Sequence, residues 1–127
     1  MGAPSFPKSS PALVERYEAA LASHPETVGR SMFGYPASFI GGNMATGLCR
    51  EDWYVRLPPD EREVLLGIPG AGPFAPMPGR PMREYVVLPP SIVADDAALH
   101  GWLRRAIAYG ASLPSKDVAR PRAKTSP

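Results

Sequence analysis

Few side chains in this 127-residue sequence could do chemistry, and their spacing argues against most of it. The imidazole and thiol donors are His24, His100 and one cysteine, Cys49. A zinc site gathers its ligands at short, regular spacings, and these three are far apart in the chain. No metal site is expected from them. A Cys-His nucleophile is disfavoured on the same ground. Cys49 also falls on a strand face of small residues, away from any expected helix N-terminus, so nothing local favours a thiolate. Gly70-Ala71-Gly72 suggests a phosphate loop. Pro69 and Pro73 flank it, however, no third glycine follows at the required spacing, and no helix starts there. The acidic pairs Glu51/Asp52, Asp60/Glu61 and Asp95/Asp96 fall at turns or helix starts, where capping accounts for them. No catalytic group and no cofactor is expected.

Arginine is the exception. Arg30, Arg56, Arg80 and Arg83 lie in or beside a strand-rich stretch and a proline-rich loop, with Tyr35 and Tyr54 close in sequence. If the loop folds back, Arg30, Tyr35, Arg56, Arg80 and Arg83 converge on a small anionic ligand or an acidic peptide. The competing expectation is a set of solvated arginines paired with Glu51, Glu84 or backbone carbonyls, as surface arginines commonly are.

The elements that must position these groups are organised around residues 30–57. Short runs here are separated by turn residues, the pattern of a β-meander. Residues 28–33 run to a break at Gly34-Tyr35-Pro36. Residues 37–40 run to Gly41-Gly42-Asn43, a tight hairpin turn rich in residues that tolerate positive φ. Residues 44–50 run to Glu51-Asp52, and residues 53–57 stop at Pro58-Pro59. Strict alternation puts Met44, Thr46 and Leu48 on one face and Ala45, Gly47 and Cys49 on the other. The second set is small, which predicts a spare face that a helix or a second subunit could approach closely.

The flanks read as cover for this sheet. Ser10-Pro11 is a helix start, with serine at the N-cap and proline at the first helical position. The helix runs to about Ser23, with Leu13, Tyr17, Ala20 and Leu21 on one stripe, and His24-Pro25 ends it. Residues 58–67 form a short helix with an acidic first turn. Residues 68–81 are too dense in proline and glycine for a regular element, although Phe74 and Met77 should hold this loop across the sheet. Residues 82–88 give a fifth strand, and residues 91–94 a single turn. A last helix, capped by Asp95 or Asp96, runs to about Leu113 with Leu99, Trp102, Leu103, Ala106, Gly110 and Leu113 at helical spacing. His100 and Arg104 lie to one side of that stripe.

Length alone bounds the chain to one domain, and one cysteine excludes an intramolecular disulfide. No signal peptide and no membrane-length apolar run is read, so a soluble cytoplasmic protein is the default expectation. The net charge of +2 is uneven. The last fourteen residues carry +3 and the remainder −1, so the folded part is not a basic nucleic-acid-binding domain. The tail offers at most weak, salt-sensitive contact with nucleic acid. The expected organisation is a mobile segment over residues 1–11, a domain over 12–113 and a disordered basic tail over 114–127.

In order and spacing these pieces resemble the TfoX N-terminal domain family of bacterial proteins. The match rests on Met32-Phe33-Gly34, on Gly42-Asn43-Met44, on Phe74 and the Pro78-Gly79-Arg80-Pro81-Met82 loop, and on Tyr85, Pro89, Asp96, Leu99 and Trp102. The resemblance implies a two-layer α+β fold similar to secretion chaperones, with helices packed on an antiparallel sheet. It also implies a non-enzymatic role, since the family is tied by name to the regulation of natural competence. Full-length regulators of this kind look like two-domain proteins, and this chain matches the first domain. The expected function is a binding or regulatory module that acts on another macromolecule, a protein first of all, as a homodimer. The alternatives are a small anionic-ligand-binding protein or minor enzyme that uses the arginines, and a nucleic-acid accessory protein that uses the tail.

Overall fold

The structure, a computed structural model, describes residues 8–76 and 82–116. Expectations that fall on residues 1–7, on Met77 to Pro81, or on the tail beyond Lys116 lie outside them. The elements are α1 (Pro11–Leu21), β1 (Val28–Met32), β2 (Tyr35–Ile40), β3 (Asn43–Cys49), β4 (Asp52–Arg56), α2 (Pro59–Leu66), β5 (Gly72–Pro73), β6 (Tyr85–Val87), α3 (Pro90–Val93) and α4 (Asp96–Ser112). This is the expected α+β architecture, with an antiparallel sheet of six strands in the order β1-β2-β3-β4-β6-β5.

The first four strands are joined by two-residue turns, because Met32 pairs with Tyr35, Ile40 with Asn43 and Cys49 with Asp52. Such turns need left-handed backbone to match the twist of the strands. Gly41 and Gly42 supply it at φ 59° and 81°. The turn before them is not the expected Gly34-Tyr35-Pro36. It is Phe33-Gly34, at φ 55° and 87°, and Tyr35 and Pro36 already belong to β2.

The expected alternation along β3 fails at its start. Ser38 faces Thr46 but Phe39 faces Met44, so Ala45 is an extra residue in a β-bulge. The bulge moves Ala45 onto the helix-covered face, fully buried, and turns Met44 to the other face. The spare face of small residues is therefore not there. Ala45 lies under α4, Gly47 lies beneath the Tyr54 hydroxyl, and the opposite face is filled by Met44, Tyr54 and Phe74.

On the covered face α4 crosses β2, β3 and β4. Leu99, Leu103, Ala106, Ile107 and Gly110 are its buried residues, while Trp102 is only partly so. At Gly110 the approach is so close that a Cβ would stand 2.8 Å from Ile40 Cγ2. Asn43 donates to the carbonyls of Gly110 and Pro114, satisfying acceptors that the end of α4 leaves open. Below the helices, the Trp53 indole N–H donates to Thr46 Oγ1 at 2.9 Å, and that hydroxyl donates to the Tyr54 carbonyl at 2.6 Å.

The N-terminal cap is as expected: Leu13 N–H donates to Ser10 Oγ, with Pro11 in the first turn. Glu51, in the β3–β4 turn, accepts from both the amide and the hydroxyl of Ser10, which fixes where α1 begins. Arg16 ties its other side, donating to the Val93 carbonyl and pairing with Asp96 at 2.7 Å. The proline-rich loop does hold one regular element, against expectation. Gly72 and Pro73 pair with Val87 and Val86 at the sheet edge, where a missing N–H costs nothing.

Candidate functional site

The face away from the helices carries a half-open cleft of about 380 Å3. Met44 and Tyr54 form its floor, the β1–β2 hairpin supplies Met32 and Tyr35, and Phe74 with Met82 closes the far side. The sequence folds this way for local reasons. The bulge at Ala45 aims Met44 outward, and the paired strand β5 delivers Phe74 directly over Tyr54. The two rings stack at 4.1 Å and 16°, and Tyr85 meets Tyr54 edge-on at 5.6 Å. The Tyr54 hydroxyl donates to Met44 Sδ at 3.4 Å. Burial pushes the Tyr54 phenol well above the ordinary tyrosine range.

Chemically the cleft is apolar and rich in sulfur. Three thioethers and the Cys49 thiol line it. Burial raises the Cys49 pKa, and the adjacent Arg50 only partly opposes this. A thiol kept protonated is a poor nucleophile. Among the described residues Arg50 is the one charged lining residue, at φ 55° in the β3–β4 turn.

Phe33 stands at the rim, at the tip of the β1–β2 turn. It is 83% exposed, the most exposed of the large apolar residues described. Its backbone is left-handed, which is unusual for a bulky side chain. Sequence reading marked Phe33 as part of a motif but not as a surface feature. The signal was the residue pair itself, since Phe-Gly stands where a two-residue hairpin favours Asn-Gly.

The arginines are spread out. Arg30 lies on β1, over the Phe39 ring at 5.1 Å. Arg56 lies on β4, where its Nε pairs with Glu84 Oε1 at 2.7 Å and its guanidinium sits 5.6 Å from the Tyr85 ring centre. Two strands separate Arg30 from Arg56, which puts their backbones about 14 Å apart. Arg83 is exposed, and its carbonyl accepts from Arg62 at 2.7 Å. Arg80 lies outside the described residues. Of the residues singled out from the sequence, Tyr35 lines the cleft, buried at 6% exposure.

The two histidines, 76 positions apart, meet. His24 Nε2 lies 2.9 Å from His100 Nδ1, so the rings share a hydrogen bond between the end of α1 and α4. Burial lowers the His24 pKa, with His100 and Arg104 adding to the shift and Glu26 opposing it. Among the described residues no group of three His, Cys, Asp or Glu side chains could hold a metal ion, and no helix is long and apolar enough to cross a membrane.

No curated protein and no solved structure matches the chain. A family model does, that of the TfoX N-terminal domain, over residues 19–109. That span holds the hairpin tip, the bulge, the aromatic stack and most of α4. This chain therefore belongs to the TfoX N-terminal domain family.

Proposed function

We propose that the chain is a cytoplasmic, non-catalytic module with a regulatory role, and that it works by docking a protein at the β1–β2 tip and the cleft behind it. Family membership supports the regulatory part. The single observation that carries the docking part is Phe33. An L-residue in left-handed backbone costs roughly 1–2 kcal/mol. An aromatic ring left 83% exposed recovers none of that by burial in the fold. Asparagine would suit the turn at lower cost. A strained, solvated phenylalanine beside an open apolar cleft therefore makes sense as a contact completed by another molecule. The non-catalytic part is supported by the groups at the cleft: beside hydrocarbon and thioether there are two buried phenols, a protonated thiol and the Arg50 guanidinium, a set without an acid-base pair or an activated nucleophile.

Affinity capture from the native cell, read by mass spectrometry, tests this. The wild-type chain, Phe33→Asn and the cleft-filling Cys49→Phe are compared. Proteins retained by the wild type and lost by both variants are expected. Identical recoveries with all three chains would refute docking at this site.

A further inference from the structure

We propose that the cleft is occupied by a second copy of this chain: two molecules meet about a two-fold axis at their β1–β2 tips, each seating Phe33 in the other's cleft. This rests on the reading of the tip and cleft as a docking site, and it names the occupant.

The knob and the hole lie on one rim of one molecule. Phe33 borders the cleft that Met32 and Tyr35 help to form. A two-fold contact uses the same patch twice, so a surface carrying both a projecting group and a receptor for it is complementary to itself. The sizes agree. An apolar cavity of about 150 Å3 is enough to hold a benzene ring. The cleft, at about 380 Å3, takes a phenyl ring with room for its neighbours at the rim. The lining suits an aromatic guest, since Met32, Met44 and Met82 present thioethers and Phe74 and Tyr54 present rings.

The tip alone is small against the roughly 800 Å2 per partner of a standard interface. The structure offers a continuation. Strand β1 pairs with β2 only and forms one edge of the sheet, with Val28 55% exposed on it. A two-fold axis running along the strands sets the two tips next to each other with their β1 edges side by side, which widens the contact. The surface so formed differs from the one expected from the sequence, because Ala45 and Gly47 are buried and play no part.

Cys49 makes the geometry testable in the full chain. It is the only cysteine and it lines the cleft. Phe33→Cys is mixed with the wild type, so that the wild-type ring still anchors each mixed pair while the new thiol faces the partner's cleft. With diamide as oxidant, the mixture should give a covalent dimer on non-reducing gels, with a peptide joining position 33 of the variant to position 49 of the wild type. The wild type alone, treated alike, should stay uncrosslinked. A crosslink within one chain, one between two copies of position 33, or none at all would overturn the proposal.

Sedimentation velocity gives a second, independent reading. The wild type should move from monomer to dimer between low and high micromolar concentration. Phe33→Asn, which suits the turn and so should fold, removes two anchors per dimer and should weaken association about a hundredfold or more. A wild type that stays monomeric throughout would sink the second copy as occupant. It would leave the docking reading to the capture experiment, in which a foreign partner is lost with Phe33→Asn whatever the oligomeric state.

Discussion

Gly47→Ala should destabilise the protein by about 1–2 kcal/mol, although it places a better strand former in a strand. A Cβ at Gly47 would stand 2.3 Å from the Tyr54 hydroxyl oxygen, 2.7 Å from its Cζ and 3.2 Å from the Pro36 carbonyl oxygen. The phenol would have to retreat. It is held on its far side by the Phe74 ring at 4.1 Å and by the Tyr85 edge, and its hydroxyl is bound to Met44. Any retreat therefore disturbs the Tyr54–Phe74 stack that forms the floor and far side of the cleft. Overpacking of this kind costs about 1–3 kcal/mol. Because a backbone oxygen as well as the held phenol meets the new Cβ, the cost falls in the upper half of that range, about 2–3 kcal/mol; relief from a strand glycine returns roughly 0.5–1 kcal/mol, which leaves a net loss of about 1–2 kcal/mol. Urea unfolding followed by tryptophan fluorescence measures it, and the midpoint should fall by about 0.5–1 M with little change in slope. Tyr54→Phe removes the atom in the closest clash. In that background Gly47→Ala should cost less, with a coupling of at least about 0.5 kcal/mol. A neutral or stabilising Gly47→Ala, or strictly additive effects, would refute the claim that this glycine is there to admit Tyr54.

Thr46→Val should cost about 1–3 kcal/mol, because it leaves the buried Trp53 indole N–H without its acceptor. Thr46→Ser keeps the hydroxyl and should cost clearly less; equal losses in urea unfolding would show that shape, not the hydrogen bond, matters there. The histidine pair predicts acid sensitivity. Burial in the fold lowers the His24 pKa below that of the unfolded chain, near 6.5, so around and below that pH the unfolded state binds more protons and stability falls as pH drops. His24→Gln should flatten this slope between about pH 7.5 and 5.5. Wild-type midpoints that do not change across that interval would rule the effect out.

The local order of elements is legible in the sequence because it depends on neighbouring residues. Ser10-Pro11 caps α1, Gly41-Gly42 makes a hairpin turn and Asp95 caps α4, each through contacts a few positions away. The motif spacing that marks the family is legible for the same reason. The site was less so. One extra residue at Ala45 exchanges the faces of Met44 and Ala45, and pattern reading assumes a regular pleat, so it assigned both to the wrong side. The Gly72–Pro73 strand depends on a distant partner, Val86–Val87, and no local propensity announces it.

Sequence by itself thus determined the fold class, the family, the Gly41-Gly42 turn and the starts of the first and last helices, all set by chain-local chemistry. Only tertiary structure decided which face is open and what lines it. It alone stacked Phe74 on Tyr54, brought His24 to His100 across 76 positions and left Phe33 projecting beside an apolar cleft. Those outcomes depend on how twisted strands, a bulge and a crossing helix fit together in space, and side-chain periodicity along one strand carries no record of that fit.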